Sequence, residues 1–202
     1  MVMVFSLLVF LLAGMVKGVL GMGLPTVAVG LLAIVVSPGE ATALLLIPSL
    51  ITNFWQLFSG PALLPLIKRL WPMLLALSLG TLLTTPWLVA SDSEWASVCL
   101  GLCLVAYGVM GLRSWRWRVS VKGEATRSTL VGLLTGLITG ATGVFVIPAV
   151  PYLQALGFDK ESLIQALGLS FTVSTIALGI GLLMQGGLQI EGMGLSWLML
   201  VP

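Results

Sequence analysis

Lys17, in Met15-Val16-Lys17-Gly18-Val19, is the single basic residue well inside an apolar run. An ammonium buried among apolar side chains is costly unless something compensates it, so such a residue is read first as functional. The alternative is snorkelling, in which the flexible stem carries the charge to an interface. Around it, Gly14, Gly18 and Gly21 form GxxxGxxG, followed by Gly23 and Pro25. A helix broken at glycines exposes backbone N–H groups with partial positive charge, and these attract anions. Asn53 and Gln56 lie three apart, on one helical face, and each amide can donate two hydrogen bonds to oxyanion oxygens. Point charge, backbone N–H groups and amides together suit the binding of a small oxyanion; interhelical hydrogen bonding is the alternative use of the amides.

The glycine spacing recurs as Gly136, Gly140 and Gly143. With a one-residue shift, Pro25 matches Pro148, Ala43 matches Ala166, Ser49 matches Thr172 and Thr52 matches Thr175, so the chain reads as a duplication. Thr142, Ser170, Thr172, Ser174 and Thr175 supply hydroxyls in the second half, unless they bond only to their own backbone. The candidate substrate-binding residues are therefore Lys17, Gly18, Gly21, Gly23, Pro25, Ser49, Asn53 and Gln56 in the first half. Gly140, Thr142, Gly143, Ser170 and Thr172 are their counterparts in the second. Paired glycine-interrupted segments in corresponding positions point to a transporter site. Such breaks are tolerated at membrane depth only against protein or a watered cavity. GxxxG is equally a helix-packing signal, and that competing use applies to both copies.

These residues need a scaffold, and composition defines its solvent. The chain is 58% hydrophobic and 8% charged, too apolar to solvate a globular surface. Its 202 residues, at about 20 per spanning helix, predict an all-α integral membrane protein of about seven segments with no room for a soluble catalytic domain. Apolar runs cover residues 3–36, 41–60, 70–90, 95–112, 129–156 and 162–184, and a seventh begins near Met193. Trp71, Trp87, Trp95, Trp115 and Trp117 fall at or near run ends, where indole rings prefer the headgroup layer. The start, MVMVFSLLVFLLAGMVKG, has neither a charged leader nor a small-residue cleavage site, so the first run is expected to remain.

The expected organisation is a first repeat over 1–112, a basic connecting loop over 113–128 and a second repeat over 129–202. Lys68 and Arg69, and the cluster Arg113, Arg116, Arg118, Lys122 and Arg127, place both basic loops (68–69 and 113–127) in the cytoplasm of a bacterial inner membrane. The intervening Ser91-Asp92-Ser93-Glu94 has no Lys or Arg and belongs on the opposite side. The Arg and Trp of RSWRWR abut a membrane segment and read as anchoring rather than nucleic-acid binding. Glu40, and Asp159 or Glu161, precede a helix in each half and read as N-terminal caps.

Runs 3–36 and 129–156 are too long for one comfortable span and contain Gly and Pro, so each is expected to break in two. If each dips in and returns, the halves form an inverted repeat; if each crosses fully, the repeats are parallel. The charges favour the re-entrant form, with QGGLQIEG outside and GFDKE inside.

AGMVKGVLGMGLPTVAVGLLAIVVSPGEATALLLIPSLITNFWQ resembles the first conserved block of the sulfite exporter TauE/SafE family, and GLLTGLITGATGVFVIPAVPYLQALG resembles the second. The first block reads GMGLP where the family pattern is the fuller GxGGG. The resemblance implies two homologous halves and secondary transport of sulfite, sulfoacetate, sulfate or a related organosulfonate. The chain stops at Pro202 inside its seventh run. If a last helix is absent, closure of the bundle calls for a second copy, which makes a homo-oligomer a candidate assembly.

Two other function classes compete with an alternating-access transporter. Cys99 and Cys103 could serve a membrane thiol or electron carrier, although an i, i+4 helical pair is awkward for a disulfide. The glycine faces could instead belong to a non-transporting assembly subunit. There is no His, no metal-ligand cluster, no P-loop and no nucleophile beside a base. Neither an enzyme nor an ATP-driven pump is expected, and no cofactor.

Overall fold

The computed structural model describes residues 2–90, 94–112 and 123–187. Among them the chain is all helical: α1 (Val2–Leu20), α2 (Leu24–Leu32), α3 (Pro38–Leu57), α4 (Leu63–Val89), α5 (Glu94–Leu112), α6 (Glu124–Thr142), α7 (Ala149–Ala155) and α8 (Lys160–Met184). Both long runs are broken. The first splits into α1 and α2 at Gly21-Met22-Gly23, where Gly21 (φ 70) and Gly23 (φ 103) hold backbone angles that L side chains rarely adopt. The second splits into α6 and α7 after Gly143 (φ 74), and the Ile147–Pro148 peptide is cis.

Among the described residues, four helices are long and apolar enough to cross a membrane: α1 over Met3–Leu20, α4, α5 and α8. About seven segments were expected. Helices α3 and α6, of 20 and 19 residues, match a span in length but are less apolar. Their inward faces carry the polar residues Thr42, Ser49, Asn53 and Gln56, and Ser128, Thr135, Thr139 and Thr142. The Ser91–Ser93 part of the acidic loop, basic residues 113–122, Trp115 and Trp117, residues 188–192 and the seventh run lie outside the described residues.

Helix starts follow the local sequence. Ser37 and Glu40 form a capping box on α3: Glu40 N–H donates to Ser37 Oγ (3.2 Å) and Ser37 N–H to Glu40 Oε2 (3.0 Å). On α8 the cap is Asp159, whose Oδ2 accepts from the N–H groups of Glu161 (3.2 Å) and Ser162 (3.1 Å). Hydrogen bonding to Ser162 leads the influences that hold this carboxyl below its ordinary pKa.

Two packings organise the bundle. Helices α4 and α6 run parallel: Gly132 lies against Met73, Gly136 against Leu77 and Gly140 against Thr81 and Thr84. A Cβ at any of the three would collide with α4, so these glycines set how closely the backbones approach. Helices α3 and α8 run antiparallel, with Leu57 beside Gly168, Ser49 beside Thr175 and Leu46 beside Gly179. Gly14 and Gly18, which have the same spacing as Gly136 and Gly140, face open space: a methyl group at either would have no neighbour within 4 Å.

At one end of the bundle Arg69 makes a two-point ion pair with Glu124, Nε to Oε1 at 2.6 Å and Nη2 to Oε2 at 2.9 Å, and its guanidinium sits over the Phe158 ring. The Lys68–Arg69 segment and the start of α6 therefore share that end. Hydrogen bonding to Arg69 holds the Glu124 carboxyl below its ordinary pKa.

Gly136→Ala should lower stability in detergent by about 1–3 kcal/mol through overpacking. Gly14→Ala should change it by less than about 0.5 kcal/mol. Thermal unfolding of the two variants tests this contrast, and equal losses would contradict the packing described. Because Glu124 has a depressed folded-state pKa, its contribution is present above the ordinary carboxyl range and disappears as pH falls through the folded value. The pair is partly exposed, so Glu124→Gln should cost less than about 1 kcal/mol at neutral pH and nothing in strong acid, measured as unfolding midpoints across pH.

Candidate functional site

A cleft of about 840 Å³ opens where the C-terminal half of α1, the Gly21–Gly23 break, the last turns of α3 and the first turns of α8 converge. This is the end of the bundle that carries Arg69 and Glu124: Gln165 of α8 reaches the turn before α4, donating to Leu57 O (2.8 Å) and accepting from Ala62 N–H (2.8 Å). Apolar surface from Trp55, Met22, Leu163 and Ile164 makes up much of the wall.

Lys17 is on this wall, 7% exposed. Its ammonium donates to Thr52 Oγ1 at 2.9 Å and to Asn53 Oδ1. Both partners are neutral. Arg69 pairs with Glu124 away from the cleft, and Glu161, the acidic residue of the cleft, is not paired with Lys17. Asn53 Nδ2 donates in turn to Ser49 Oγ (3.0 Å) and to Thr175 Oγ1 (3.1 Å) on α8. Gln56 Nε2 donates to Gly21 O (2.9 Å) and Ile164 O (3.0 Å), so one amide ties the break in the first run to both α3 and α8. Two carbonyl acceptors fix that amide's orientation and leave Gln56 Oε1 buried without a partner. Gly23, the residue before α2, supplies no side-chain cap, and Pro25 occupies the first turn.

Of the first-half candidates, Lys17, Gly18, Gly21 and Gln56 line the cleft; Asn53 and Ser49 lie directly behind Lys17, and Gly23 and Pro25 start α2 beside it. The second-half candidates do not reach it. Gly140 and Gly143 pack against Thr84 and Thr42. Thr142 donates to Ile138 O (2.7 Å) and Thr172 to Gly168 O (2.7 Å), each satisfied by its own helix. Ser170 Oγ is buried without a partner. The breaks differ in composition: Gly21 and Met22 of the first are part-exposed and line the cleft, whereas Val144, Phe145, Val146 and Ile147 fill the second with buried apolar side chains.

Sequence reading passed over Ser59, Gln154 and Lys160, which also line the cleft, and Gln165 behind it. Gln154 and Gln165 carried a usable signal, each being an amide within an apolar run. Cys99 and Cys103 are free, half-buried thiols on α5, away from the cleft, and no metal-ligating cluster occurs among the described residues.

Several long apolar helices in one chain define a multi-pass membrane protein. The Sulfite exporter TauE/SafE family model matches residues 6–202, nearly the whole chain, and the chain belongs to that family. No curated protein and no solved structure gives a significant match.

With Cys99 and Cys103 replaced by Ala, a cysteine placed at Ser59, on the cleft wall, should react with a water-soluble thiol reagent. One placed at Ser49, fully buried, should not. Equal labelling of the two positions would contradict the cleft's described depth.

Proposed function

We propose that this chain is a secondary transporter that carries a small sulfur-containing anion, such as sulfite, sulfoacetate, sulfate or a related organosulfonate, across the bacterial inner membrane. One observation carries the proposal: Lys17 is buried at the cleft wall and held only by the neutral oxygens of Thr52 and Asn53. An ammonium has three N–H donors, and two are used. An anion in the cleft takes the third and supplies the missing negative charge. The uncapped start of α2 adds partial positive charge on the same side.

The antiparallel pairing of α3 with α8, corresponding helices of the two halves, supports an inverted duplication, since parallel repeats would run them in the same direction. Alternating access then follows as movement of one half against the other around the Lys17 region. The shared end of Arg69 and the start of α6 supports a cytoplasmic location for both basic loops, and with it a cleft that opens to the cytoplasm.

Flux of sulfite, sulfoacetate, thiosulfate and sulfate into proteoliposomes, with and without a pH gradient, tests the proposal. At least one of these anions should move. Lys17→Met should cut its flux by about tenfold or more, as expected when a buried charge contact is lost. Gly21→Leu should do the same, because its φ of 70 disfavours any side chain. The double change Cys99→Ala, Cys103→Ala should leave flux intact. Undiminished anion flux in Lys17→Met would rule out this site.

A further inference from the structure

Behind the cleft the hydrogen bonds form a chain of fixed polarity. Thr52 spends its O–H on Pro48 O (2.8 Å), so its oxygen is free to accept from Lys17. Thr175 spends its own on Phe171 O (2.8 Å), so its oxygen accepts from Asn53. Asn53 presents Oδ1 to the ammonium and cannot turn its NH₂ group there, because two sets of donors would then face each other. Ser49 and Thr175 close the far end, their hydroxyl oxygens 3.4 Å apart. Ser49, Asn53 and Thr175 are buried, and at low local dielectric each link is strengthened and each loss is costly.

The chain also crosses between the two halves. Other hydrogen bonds join α8 to the α3 side, from Gln56 to Ile164 O and from Gln165 to Leu57 O, but these end on backbone carbonyls. The Asn53–Thr175 bond leads through one side chain to Lys17.

We infer that Thr175 is a positioning residue that, through Asn53, couples anion occupancy at Lys17 to the α3–α8 crossing. The inference rests on the anion site proposed above. An anion drawing on Lys17 weakens the hold of the ammonium on Asn53 Oδ1. Asn53 is then a poorer donor to Thr175, and this link between α3 and α8 loosens when the site is filled.

The test separates binding from movement. Thr175→Val keeps the β-branched shape and removes the acceptor; the purified full-length chain would be assayed for equilibrium binding of sulfite and sulfoacetate and for their flux in proteoliposomes. Binding should stay within about threefold of wild type, while flux falls by about tenfold or more, a range typical of coupling between sites. Thr175→Ser, which retains the hydroxyl, should recover flux. If Thr175→Val does not fold, Thr175→Ala serves for the same comparison. Flux at the wild-type rate, or binding and flux lost in equal proportion, overturns the inference. If the wild type binds neither anion, the Lys17 site itself fails, an outcome distinct from intact binding with unaltered flux, and the coupling falls with it.

Discussion

An ammonium taken out of water needs a counter-charge or neutral oxygens in place of its hydration, and Lys17 has two such oxygens, from Thr52 and Asn53. That requirement reaches through much of the structure. Thr52 and Asn53 face Lys17 because α3 brings its last turns up to the end of α1. Asn53 can point its carbonyl oxygen at the charge because Ser49 and Thr175 accept from its other end. Gln56 holds the glycine break in place from the same helix face. Helix α3 is consequently too polar to satisfy a simple criterion of membrane-spanning apolarity, although it is long enough.

The repeated glycine motif has two fates. In the second half it is a packing surface, where α4 approaches α6 so closely that a single methyl group would collide with backbone. In the first half the same spacing faces the cleft and open space. Neither helix differs much in its glycine pattern; the difference is whether another helix lies against it. The breaks diverge in a similar way, one bordering the cleft at Gly21 and Met22 and the other sealed by Phe145 and its apolar neighbours. One glycine spacing thus helps to close the bundle, and the other lies where it opens.

Helices α3 and α8 cross with small residues and hydroxyls at their contact, Gly168, Ser49 and Thr175 among them. Gly168 admits the α3 backbone, and Ser49 and Thr175 lie close enough to share polar contacts. A crossing of this kind brings the backbones close while placing hydrogen-bonding groups at the interface. The Arg69–Glu124 pair, by contrast, lies at the edge, where water already screens it.

Much of this architecture is legible in the sequence, for local reasons. Hydropathy marks the helices, glycine and proline mark both broken runs, and Ser37-Pro38-Gly39-Glu40 and Asp159 write their own caps, because each of these effects acts within a few residues. Lys17, Asn53 and Gln56 stand out as polar groups in apolar surroundings, whose burial is costly wherever they lie. The sequence does not determine which glycine stripe is covered, or that Thr142 and Thr172 turn to their own helices while Thr175 turns to Asn53. It does not reveal that Ser59, Gln154 and Lys160 line the same cleft as Lys17 either. Those outcomes depend on which helix packs against which, through contacts between residues more than a hundred positions apart, such as Asn53 and Thr175. Only the tertiary structure decides them, because a side chain's nearest polar partner is set by packing rather than by its neighbours along the chain.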